Sequence, residues 1–111
     1  MAGRRVMVHF RDPAGAVLAA LQMVAQLPEA GLPPAHVGVA AGPVVVQGGD
    51  FFGRTVNLAA RIAGHAGARQ VLVSQSVVES ASPTGVSFVA VEEVQLKGFA
   101  RPVRVLEARN R

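Results

Sequence analysis

An asparagine and an arginine four residues apart, Asn57 and Arg61, are the pair in this sequence best suited to chemistry. If the segment that holds them is helical, they share one face. An amide and a guanidinium then project together. The arginine fork suits phosphate oxygens, and the amide can orient a hydroxyl or a ring oxygen. The pair fits a polyanion whose charge moves during reaction. A plainer description also fits: Asn57 near a helix start and Arg61 solvated on the surface. On spacing alone that is the commoner case.

Residues 55–65 read as the helix required, closed by Gly64 and Gly67. Leu58, Ala59, Ile62 and Ala66 lie on its other side and can bury. Before it, residues 6–10 are a short apolar strand candidate. Asp12 and Pro13 read as N-cap and first residue of an earlier helix. Ala14, Val17, Leu18, Leu21, Val24 and Ala25 follow the spacing of its apolar stripe, and Pro28 ends it. Residues 31–34 form a loop. Residues 37–47 are long for one strand, and two strands meeting at Gly42-Pro43 fit as well. Gly48-Gly49-Asp50 reads as a turn. After the second helix come a strand at 71–73 and a short helix at 75–80 with Ser74 as a cap. Strands at 86–96 and 102–108 are joined through Lys97-Gly98. This alternation predicts helices packed on a sheet, of α+β or α/β type.

Composition narrows the function classes. Of the 111 residues, half are apolar and 16% are charged, enough for a real core. No apolar run is long enough to span a membrane, and no signal core follows Arg4 and Arg5. Cysteine is absent, which excludes disulfides and thiolate metal sites. A cytoplasmic location is expected. The net charge of +4 is carried by Arg4, Arg5, Arg109 and Arg111 at the two ends, leaving a neutral body. All five aromatics are phenylalanine, so nothing suggests base stacking, and no nucleic-acid partner is expected.

The run Gly49-Asp50-Phe51-Phe52-Gly53-Arg54-Thr55-Val56-Asn57-Leu58-Ala59-Ala60-Arg61-Ile62 resembles the signature of class III adenylyl/guanylyl cyclase catalytic domains, bacterial type. There an acidic residue and an aromatic-glycine pair precede V-N-x-A-x-R. The match continues on both sides. His36-Val37-Gly38-Val39-Ala40-Ala41-Gly42-Pro43-Val44 resembles the family's central strand. Gln70-Val71-Leu72-Val73-Ser74 resembles the strand after the signature helix. Leu96-Lys97-Gly98-Phe99, then Pro102-Val103, resembles its closing hairpin.

The resemblance implies an α+β, ferredoxin-like nucleotide cyclase fold with helices on a mainly antiparallel sheet. It implies attack of the ribose 3′-oxygen on the α-phosphate, with pyrophosphate expelled. Asn57 would contact the ribose, and Arg61 would hold the α-phosphate as charge develops. Lys97 would steady the β- and γ-phosphates; otherwise it is an exposed hairpin lysine. Asp50 would accept from the adenine 6-amino group, which points to ATP; otherwise it is a turn residue after two glycines.

The family also holds Mg²⁺ or Mn²⁺ between two aspartates. By the resemblance the strand carrying the first lies outside the chain, and Arg4 stands where the second would be. Asp12 is a cap and Asp50 has another role. His9, His36 and His65 show no metal-ligand spacing. No bound metal is therefore expected, since two-metal chemistry needs carboxylates. The expectation is the C-terminal portion of a catalytic domain over residues 1–111, truncated and inactive alone. As a non-catalytic partner it would regulate an intact cyclase or complete its site, in a homodimer or heterodimer. It could also be a plain structural fragment whose sheet edge recruits partners.

Overall fold

A computed structural model describes residues 12–31, 35–43, 45–81 and 85–110. The strand expected at residues 6–10, with Arg4 before it, lies outside the described residues.

Helix α1 spans Pro13–Glu29. Asp12 caps it, its Oδ1 accepting from the Ala14 amide at 3.2 Å, with proline in the first turn. The buried stripe is Val17, Ala20, Leu21 and Val24, while Leu18 and Ala25 are exposed. That corrects the expected stripe: the helix turns its 17/20/21/24 face inward, and Leu18 falls beyond its edge. Pro28 does not end the helix. It lies in the last turn, where a proline forfeits one amide hydrogen bond and few helical residues remain to be disturbed. The chain leaves at Ala30 and at Gly31, which has φ of 77°.

The apolar stretch after the loop is indeed two strands, β1 at His36–Val39 and β2 at Val45–Gln47. Gly48 and Gly49, with φ of 60° and 80°, make a two-residue hairpin turn of the kind that needs positive φ at both positions. Asp50 is not part of that turn. It opens a further strand, β3 at Asp50–Phe52, and pairs with Gln47. Next come α2 at Arg54–His65, β4 at Gln70–Ser74 and α3 at Gln75–Ser80. Gly64 lies inside α2, and Ala66 closes it. Ser74 takes the N-cap position of α3, but its hydroxyl is bonded to Ser76 Oγ at 2.7 Å instead of to the helix backbone. Strands β5 at Val86–Val94 and β6 at Val103–Asn110 complete the described chain, with a bulge between Ala90 and Glu92.

The main sheet has the order β1-β4-β6-β5. β1 runs parallel to β4, and the other two pairings are antiparallel, so the α+β expectation holds. Alternation along the strands sends side chains to two cores. Val71 and Val73 of β4 pack with α1 and α3, together with Val77, Leu106 and Ala108. Leu72 of the same strand packs with Ile62, Ala66, Leu96 and Val105. α1 and α3 therefore cover one face, and α2 covers the other.

Candidate functional site

α2 is the element that presents the candidate chemistry. Its inward side is Ile62, fully buried, with Ala66 buried and Leu58 partly so. Asn57 and Arg61 are exposed on the opposite side. The helix sits unusually close to the sheet. A Cβ at Gly38 of β1 would overlap the backbone of Ala59 and Ala63. Only glycine permits that approach. His36, at the start of β1, donates from Nδ1 to the Ala66 carbonyl at 2.8 Å and ties the far end of α2 to the same strand.

Lys97 comes from a different part of the chain. It lies in the tight turn Leu96-Lys97-Gly98-Phe99, closed by the Phe99 amide on the Leu96 carbonyl at 3.1 Å. Gly98 supplies the φ of 88° such a turn needs at its third position. Leu96 is only 2% exposed and sits in the core beneath α2, while Phe99 packs against the same core. The strand expected to run through Leu96 thus stops at Val94, because Leu96 turns inward. With Leu96 buried and Phe99 packed against the same core, Lys97 between them is held beside α2.

Two adjoining hollows result. One, of about 400 Å³, is lined by Asn57, Ala60, Arg61, Gly64, His65, Leu96 and Lys97. The other, of about 350 Å³, shares Asn57, Arg61 and Lys97 and adds Gly53, Arg54, Gly98 and Phe99. Three of the four residues singled out in the sequence are therefore brought together. The fourth, Asp50, is positioned by its backbone at the turn end of β3, three residues before the N-cap Gly53. Arg54 and His65 were not singled out. Positions 54, 57, 61 and 65 step along one helical stripe, a spacing visible in the sequence. The Arg54 guanidinium carbon also lies 4.5 Å from the centre of the Phe99 ring, a contact no local spacing could reveal.

The hollows suit an anion. Their charged lining is Arg54, Arg61 and Lys97, and no carboxylate is among the residues that line them. They do not suit a divalent cation. Among the described residues no three histidines, aspartates or glutamates gather into a ligand set, and the arginines and lysine would repel one. Among the described residues, no helix is long and apolar enough to cross a membrane.

Residues 16–107 match the Adenylate and Guanylate cyclase catalytic domain family. The chain is 32% identical over 112 residues to a pH-sensitive adenylate cyclase, MT1302, of Mycobacterium tuberculosis, covering 96% of this chain and 28% of that protein. Among solved structures, it resembles an adenylate/guanylate cyclase/hydrolase from Silicibacter pomeroyi at 25% identity and a TM-score of 0.73. That match covers 89% of this chain and 63% of the other. An adenylate cyclase from Trypanosoma brucei, solved in its monomeric state, shares the fold at 20% identity and a TM-score of 0.66, with the same coverages of 89% and 63%. The chain thus spans under a third of the curated relative's length.

Proposed function

The chain belongs to the adenylate and guanylate cyclase catalytic-domain family, and from that membership we propose that it supplies the phosphate-holding half of an adenylate cyclase site. Arg61 holds the α-phosphate, Asn57 orients the ribose, and Lys97 steadies the β- and γ-phosphates. Asp50 accepts from the adenine amino group and favours ATP. In the reaction the ribose 3′-oxygen bonds to the α-phosphorus, the bond to pyrophosphate breaks, and cyclic AMP forms. Preorganised cations at the point where phosphate charge grows are the contribution of this half.

One observation carries the reading. Asn57 and Arg61 on α2 meet Lys97, from a turn 36 residues after Arg61, on one hollow. The 32% identity to an adenylate cyclase supports ATP over GTP. Mg²⁺ or Mn²⁺ serves the family, but the described lining does not fit either. Family domains act as dimers. In this reading the carboxylates come from an intact cyclase protomer in the cytoplasm, and this chain alone does not turn over.

The test is complementation. A full-length family member stripped of its own asparagine and arginine at the equivalent positions keeps its carboxylates but loses transition-state stabilisation. Mixed with this chain, it regains cyclic AMP formation. Loss of one such donor costs about 10²–10³ in rate, so rescue is easily read. Asn57→Ala or Arg61→Ala in this chain abolishes the rescue. A demonstrated heterodimer without rescue defeats the catalytic assignment and leaves regulation or dimerisation as the chain's part.

A further inference from the structure

The geometry points to Arg54 as a third anion-holding side chain of this site, held in place by Phe99 and taking part of the nucleotide's phosphate tail together with Lys97. The inference rests on the reading just given and adds a residue to it.

Arg54 is the first residue of α2, directly after the N-cap Gly53. Its guanidinium carbon lies 4.5 Å from the Phe99 ring centre. A guanidinium that meets a ring with its face keeps its five N–H donors free around the edge. The ring limits the rotamers open to the long side chain, so less freedom is lost when an anion binds. The hollow beside it is bounded by the N-cap Gly53 and Arg54, by Asn57 and Arg61 one and two turns on, and by Lys97, Gly98 and Phe99 from the β5–β6 turn. Gly53 and Gly98 carry no side chain to obstruct it.

Three cations therefore line one small volume. The described salt bridge, Arg109 with Glu107 at 2.8 Å, lies on β6 and involves none of them. Like charges gathered on one concave surface raise the local potential for an anion. A triphosphate, with several charged oxygens spread along a chain, can meet all three at once. A monophosphate meets fewer. Phe99 thus has two tasks: it packs against the core under α2, and it aims Arg54.

Titration calorimetry of the full chain with inorganic tripolyphosphate isolates the phosphate tail from base and ribose. The wild type binds tripolyphosphate more tightly than inorganic phosphate. Arg54→Ala and Arg54→Gln each weaken tripolyphosphate by about tenfold, the loss of one charge-assisted contact. Arg54→Lys retains more of the affinity than either. Phe99→Leu, which keeps an apolar side chain but removes the π face, weakens it about threefold. Thermal melts confirm that each variant is folded. If Arg54→Ala and Arg54→Gln stay within twofold of wild type while Arg61→Ala and Lys97→Ala lose binding, Arg54 only packs on Phe99 and the proposal is overturned. Absence of tripolyphosphate binding by the wild type overturns it too. The cyclase reading is judged separately, by rescue with wild-type chain: rescue without an Arg54 effect defeats this inference alone, and an Arg54 effect without rescue defeats the catalytic reading alone.

Discussion

The two faces of the main sheet are built differently. On the α1 and α3 face the described core has ten buried residues, and the helices stand off on branched side chains such as Val17, Leu21 and Val24. On the α2 face it has five, and the helix comes down at Gly38 until backbone nearly touches backbone. The larger apolar burial makes the first face the greater source of stability. The second holds less apolar area but fixes position more tightly, because two backbones in contact have no side-chain rotamers through which to give. The candidate site is on the second face. Stability and placement are thus largely divided between the two sides of one sheet.

Substitutions can separate them. Leu21→Ala on the α1 face should have the largest effect on stability, about 3 kcal/mol, because a nearly buried leucine leaves a cavity. Measured by denaturant melts, that loss should leave the tripolyphosphate affinity of the folded fraction within about twofold. Gly38→Ala should cost less, about 2 kcal/mol, as the added Cβ forces α2 off the backbone of Ala59 and Ala63. Yet it should weaken tripolyphosphate more than fivefold, since Arg54, Asn57 and Arg61 move with the helix. Equal binding losses in the two variants would erase the division between the faces. Asp12→Ala should be the mildest, about 1 kcal/mol for a lost N-cap bond on α1, with binding untouched.

The legible parts of the sequence are those governed by local rules. α2 begins one residue earlier than its spacing predicts, and the face shared by Asn57 and Arg61 is as expected. Asp12 with Pro13 marked the start of α1 because cap chemistry is confined to one turn. Gly98 marked the turn that carries Lys97 because positive φ favours glycine. The illegible parts depend on partners distant in sequence. β3, three residues long, is a strand only because β2 pairs with it. Leu18 is exposed because the sheet sets which edge of α1 is buried. Arg54 looked like any residue at a helix start until Phe99, 45 positions later, came under it. The convergence of Asn57, Arg61 and Lys97 was expected from a family resemblance. Spacing alone could not bring Lys97 to α2, since that depends on Leu96 being buried beneath the helix.

The parallel pairing of β1 with β4 has a consequence for the order of assembly. β5 and β6 are neighbours in sequence and pair antiparallel, so the Lys97 turn closes through contacts near in the chain. β1 and β4 pair across the long connection that β2, β3 and α2 make between them in the chain. Closing such a crossover is slower than closing a hairpin, because ends farther apart along the chain must meet. By loop length, the hairpin that carries Lys97 is expected to close before the crossover that docks Asn57 and Arg61. The hollow between them exists only once both are in place, so a polyphosphate bound there would link the two units and favour the state in which both are closed.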